Sequence, residues 1–252
     1  MLLLASAGQA MASAKMRFVH AVPGAGAATV TVTSDGSKKV TSATTFGNSS
    51  TPLEIPSGSS TFELKAASGG PDLAKLTESV ANGRMYTLVA IPKPDEDGVV
   101  LKLYEDKKAR SGKALFRMIH AAPELGSPDV KVGSEVVAEK LAYTESTDWT
   151  SVQPGAQDVS VWKPGGKGDA LAVAKDVPLT AGTSTTAVVV GSHGEATKIM
   201  YVSDTAAPAG APQTGFGGMA DDGAPNRWLV ALLAALVAGA LGGAGWVAAG
   251  RR

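Results

Sequence analysis

Apolar residues alternate with polar ones in short runs along most of the chain. Val30 and Val32, Leu53 and Ile55, and Phe62 and Leu64 recur at every second position, as do Val130 and Val132, and Val159 and Val161. Period two is the spacing of a strand with one buried face. Pro-Ser-Gly at 56–58 and Pro-Gly at 154–155 punctuate these runs as turns. No long helical period appears before residue 228. From 228 to 249 the pattern changes to 22 residues without a charge. At about 1.5 Å per residue a helix there spans roughly 33 Å, enough to cross a bilayer core. The pattern predicts an all-β body followed by one C-terminal transmembrane helix.

The β region repeats itself. Arg17-Phe18-Val19-His20-Ala21-Val22-Pro23 returns as Arg117-Met118-Ile119-His120-Ala121-Ala122-Pro123, an offset of 100. Ile55-Pro56-Ser57-Gly58 returns near Val152-Gln153-Pro154-Gly155 at an offset of 97, and Gly83 with Tyr86-Thr87 returns as Gly182 with Thr185-Thr186. A repeat of this length predicts two tandem domains, 15–108 and 109–205. Several short strands with turns at such spacing predict a sandwich of immunoglobulin-like architecture in each, with closure into a barrel as the alternative the pattern leaves open.

Composition narrows the class. The 252 residues carry 23 basic and 23 acidic side chains, 30 Gly, 14 Pro and no Cys. A zero balance argues against nucleic acid as a partner. The absence of Cys removes disulfides, a thiol nucleophile and Cys-ligated metal, so stability rests on packing.

Both ends read as export signals. Leu2-Leu3-Leu4 starts an apolar run, and Ala12-Ser13-Ala14 has the A-x-A form of a cleavage site, so 1–14 reads as a partial signal peptide. The basic n-region is missing, so the expectation is that the true start lies upstream of Met1. At the other end, 206–227 is a Pro/Gly-rich stalk, 228–249 is the membrane span with Trp228 and Trp246 near its two ends, and 250–252 is a basic end. Arg251 and Arg252 place the C-terminus in the cytoplasm and the β domains outside. Within the stalk, Pro212-Gln213-Thr214-Gly215 resembles the core of the sortase signal of Gram-positive surface proteins, with Ala211 where that signal has Leu. The resemblance implies cleavage between Thr214 and Gly215, a sortase as partner, and transfer to cell-wall peptidoglycan.

The Arg-Phe-Val-His-Ala-x-Pro opening, its repetition, and the Pro-x-Gly and Gly-x-x-Tyr-Thr features together resemble the bacterial family called domain of unknown function 4397. The resemblance covers roughly 16–205 and implies export and a β fold, with no established activity. Family members carry an acid after the Pro and an Asp-Val strand; Glu124 and Asp129-Val130 match in copy two, whereas copy one has Gly24 and Thr29-Val30.

Two sets of residues are candidates for chemistry. His20 and His120, each three after Arg17 or Arg117 and before Pro23 or Pro123, offer either an acid–base pair or a structural bond from the ring to a turn carbonyl. The structural role is the expectation, because one His per domain makes a poor metal site. Trp149 and Trp162 are expected on an outward face. Pairing Val152 with Val159 across Pro154-Gly155 would set the two indoles directly opposite, as a platform for a surface ligand. The competing expectation packs them against copy one or under a loop. No G-x-S-x-G or phosphate-loop motif occurs. The sequence therefore predicts an exported, non-catalytic surface protein without cofactor or metal, structural or adhesive in role. The alternative is an envelope enzyme or small-ligand binder using the two histidines.

Overall fold

The computed structural model describes residues 12–94, 98–110, 112–166, 168–191 and 196–204. The stalk, the sorting motif Pro212–Gly215 and the predicted span lie outside these residues. Among the described residues no helix is long and apolar enough to cross a membrane.

The described chain is two β-sandwiches of eight strands each. The first comprises β1 (Ser13–His20), β2 (Ala28–Ser34), β3 (Ser37–Val40), β4 (Leu53–Pro56), β5 (Gly58–Ala66), β6 (Asp72–Val80), β7 (Met85–Pro92) and β8 (Val99–Glu105). The second repeats them as β9 (Ala114–Ala121), β10 (Asp129–Val132), β11 (Glu135–Ala138), β12 (Thr150–Val152), β13 (Gly155–Trp162), β14 (Ala172–Leu179), β15 (Ser184–Val190) and β16 (Lys198–Ser203). One sheet of the first domain runs β4-β1-β7-β8 and the other β3-β2-β5-β6; the second domain has β12-β9-β15-β16 and β11-β10-β13-β14. Every pairing is antiparallel except β1 with β7 and β9 with β15.

This strand order corrects the immunoglobulin-like expectation. An immunoglobulin domain places its first two strands in one sheet and sends the third to the other. Here β2 and β3 stay together because Asp35 and Gly36, at φ 45° and 69°, close a two-residue hairpin between Ser34 and Ser37. The chain instead changes sheet between β1 and β2, β3 and β4, β4 and β5, and β6 and β7.

The cores follow from the alternation. Met16, Phe18, Leu88 and Ala90 face Val30, Val32, Phe62 and Leu64 in the first domain. Phe116, Met118, Ala187 and Val189 face Val130, Val132, Val159 and Val161 in the second. The expected cleavage boundary after Ala14 falls inside β1. Ala14 is buried in the core opposite Ile55, and the Ser13 backbone N–H donates to Asn82 Oδ1.

β7 and β15 are buried along both faces. A third apolar cluster explains why. Val19, Ala21, Val89 and Ile91 from the outer face of the first domain pack against Ile119, Ala121, Val188, Val190 and Met200 from the outer face of the second. The same face of each repeat is used, as in an isologous dimer interface. Tyr104 Oη donates to the Thr144 carbonyl at 2.6 Å, and Tyr143 Oη donates to the Pro92 carbonyl, so hydroxyls cross the joint in both directions.

Candidate functional site at the domain joint

Arg17 sits on β1 between the core residues Met16 and Phe18, and therefore points away from its own core. Its parallel partner in β7 is Thr87, whose Oγ1 accepts from Arg17 Nε at 2.9 Å. Arg117 stands in the same register against Thr186, with Nε donating at 3.0 Å. Both guanidiniums are driven into the joint and need carboxylates there.

Asp106, immediately after β8, supplies the first. Its side chain is 1% exposed and bridges the domains: Oδ2 accepts from Arg17 at 3.0 Å, and Oδ1 accepts from Arg117 of the other domain. Thr87 Oγ1 donates to the same carboxylate at 2.9 Å. Asp204, the residue after β16, supplies the second, with Oδ1 2.5 Å from Arg17 Nη1. Burial raises the Asp204 carboxyl above its ordinary value, with Arg17 opposing. Burial likewise lowers Arg117, and Asp106 opposes that shift.

The histidines lie on the opposite face of the same strands, because three residues along a strand reverses the direction of the side chain. His20 Nε2 bonds the Gly26 carbonyl at 3.0 Å, and its Nδ1 accepts from the Val22 N–H at 3.3 Å. His120 does the same with Gly126 at 2.8 Å and Ala122 at 3.3 Å. These contacts require a proton on Nε2 and a lone pair on Nδ1, which is the neutral ring. Burial lowers both pKa values and favours that form. Pro23 opens the turn that His20 closes, and Pro123 starts a short 3-10 turn, Pro123–Leu125. Arg17 and His20 thus do not meet, and neither do Arg117 and His120.

The tryptophans are not opposite one another, which corrects the expected cross-strand pair. β12 pairs with β9 in one sheet and β13 with β10 and β14 in the other, so the Gln153-Pro154 connection crosses between sheets instead of closing a hairpin. Thr150 pairs with Phe116, which sets Trp149 beside Arg117. The guanidinium lies 4.5 Å from the centre of the Trp149 ring and 5.7 Å from that of Tyr104. Trp162 lies on the far sheet, with Lys131 Nζ 4.3 Å above its ring and Nε1 donating to Ser160 Oγ at 2.8 Å. Both rings are half-buried.

Thr87, Thr186, Asp106 and Asp204 carry the joint, and sequence reasoning missed them. The signal was present: two acids 98 apart, each directly after a last strand, beside two arginines 100 apart. Among the described residues no group of three or more His, Asp or Glu is placed to hold a metal.

The fold and the joint define a tandem β-sandwich protein with its repeats packed face to face. The chain belongs to the family called domain of unknown function (DUF4397), which matches it twice, over residues 14–131 and 114–216. No curated protein matches the chain in sequence. Among solved structures it is similar to the family 26 carbohydrate-binding module of Eubacterium rectale Amy13K in complex with maltoheptaose, at 17% identity, covering 78% of this chain and 98% of that one with a TM-score of 0.25. It is also similar to a suspected cell adhesion protein from Parabacteroides distasonis, at 8% identity, covering 77% and 99% with a TM-score of 0.26. The TIE protein of Bacillus anthracis matches at 12% identity over 75% of this chain and 34% of that one, with a TM-score of 0.23.

Proposed function

We propose that the chain is an exported surface protein. It displays two non-catalytic β-sandwich modules as one body, held at the cell surface by its C-terminal tail. The observation that carries the reading is how the polar groups shared by the two copies are used. Both nitrogens of His20 and of His120 are occupied by backbone groups, and Arg17 and Arg117 share the Asp106 carboxylate. Groups committed in this way hold loops and domains and are withdrawn from proton transfer. The uncharged run 228–249, the terminal Arg251 and Arg252, and Pro212-Gln213-Thr214-Gly215 support attachment to membrane or wall, with a sortase and peptidoglycan as partners in the second case. A surface ligand is the remaining partner, with Trp149 and Trp162 as the candidate aromatic contacts.

The test is protease shaving of intact cells followed by mass spectrometry of the C-terminal peptide. Peptides from 12–204 released from whole cells, with a wall-derived amine on Thr214, support display and sorting. A chain ending at Arg252 and recovered with membranes replaces sorting by a single-pass anchor. A chain untouched by shaving overturns surface display.

A further inference from the structure

The segment joining the two domains has a composition unlike the rest of the chain. Within seven residues it carries Lys107, Lys108, Arg110 and Lys113, in a protein whose total charge is zero. All four are exposed, and among the described residues none forms an ion pair. The two acids directly before the segment are already engaged: Asp106 by Arg17 and Arg117, and Glu105 by Arg84 at 3.2 Å. The four cations thus have no carboxylate partner among the described residues.

The segment is held at both ends. Asp106 N–H donates to the Met85 carbonyl at 2.8 Å, Ser184 Oγ donates to the Lys107 carbonyl, and Gly182 N–H donates to the Lys113 carbonyl at 2.6 Å. It forms a strap tied to both domains, so binding need not order it first. At its root stands an aromatic ring. Arg117 Nη1 donates to the Glu105 carbonyl at 2.9 Å, and the same guanidinium stacks on the half-buried Trp149.

We propose that this strap, with Trp149, is a binding site for an anionic polysaccharide. The cations attract the negative substituents of a linear chain, and the indole offers an apolar face to a sugar ring. A lipid surface is the weaker fit, because the strap has no large apolar side chain to insert between headgroups. The inference deepens the surface reading by naming a ligand class. Its assay uses purified protein, so a failure of localisation and a failure of binding are separate results.

The experiment measures binding of the full chain, purified in nonionic detergent, to hyaluronate over a salt series. Long-chain polyphosphate, neutral dextran and phosphatidylglycerol vesicles are the comparison probes. Three proteins are used: wild type, Lys107→Gln/Lys108→Gln/Arg110→Gln/Lys113→Gln, and Trp149→Leu, each with its melting temperature. The expected result is salt-sensitive hyaluronate binding, weakened about tenfold or more in the quadruple variant at low salt, with a flatter salt dependence. Trp149→Leu is expected to weaken hyaluronate binding severalfold and leave polyphosphate binding unchanged. Equal binding by wild type and the quadruple variant overturns the site. Binding confined to vesicles overturns the polysaccharide, and polyphosphate preferred over hyaluronate with Trp149→Leu silent overturns the sugar contact. The quadruple variant carries only exposed substitutions, so its melting temperature should not move.

Discussion

Asp106 places one carboxylate between two guanidiniums from different domains, in a site closed to water. Removing it leaves Arg117 buried without a carboxylate and Arg17 with Asp204 alone, the costly way to break such an arrangement. Asp106→Ala is expected to lower unfolding stability by about 3–5 kcal/mol, read as a lower urea midpoint. A midpoint unchanged from wild type would show that the joint does not need the bridge. The histidines give a second prediction. Burial depresses both rings below the ordinary 6.5, so below that pH the unfolded chain takes up protons that the folded chain refuses. Stability therefore falls as pH drops from 7.5 to 5.5, and the drop should shrink in His20→Gln/His120→Gln. Asp204, raised by burial, contributes with the opposite sign. The sequence placed Arg17, His20 and their copies by repetition alone. It could not assign partners, because Asp106 and Asp204 follow their strands by one residue and resemble any solvated acid at a domain end.

At the scale of strands, alternation told which side chains face inward but not which sheet each strand joins. Leu53 and Phe62 both face a core, yet β4 pairs with β1 and β5 with β2. The Pro-Gly turn at 154–155 marks a change of sheet, and reading it as a hairpin misplaced Trp149 relative to Trp162. The run Leu88-Val89-Ala90-Ile91 and its counterpart at 187–190 do not alternate. Such runs belong to strands buried on both sides, and this was the legible trace of the joint. The Asp35-Gly36 hairpin supplies a test at this scale. Gly36 has φ 69° and no atom near the position of an added Cβ, so a substitution there meets backbone strain alone. Gly36→Ala should cost about 1 kcal/mol, and Gly26→Ala, on open space without that φ, much less; equal midpoints in urea would refute the turn's role.

The whole described unit is expected to unfold as one. Val89 and Ile91 are covered by Ile119 and Val188 of the other domain, so losing either sandwich exposes the apolar face of its neighbour. Among the described residues Trp149 and Trp162 both belong to the second domain. With Trp228 and Trp246 replaced by Phe, their fluorescence should follow that half, while far-ultraviolet dichroism follows both. In that background the two curves should coincide. Ile119→Asp, which buries a charge in the joint, should separate them into two transitions.

The ion pair between Arg17 and Asp204 also has a topological meaning. It joins the first strand of the unit to the residue after its last, so the body is closed end to end as well as across its middle. Chains with adjoining termini tolerate reordering of their segments. A gene that reads the second sandwich first, opens at the exposed residues near 112 and links 204 to 12 through a few glycines should yield the same body. The serial order of the two repeats would then be a record of their duplication, and not an instruction the fold requires.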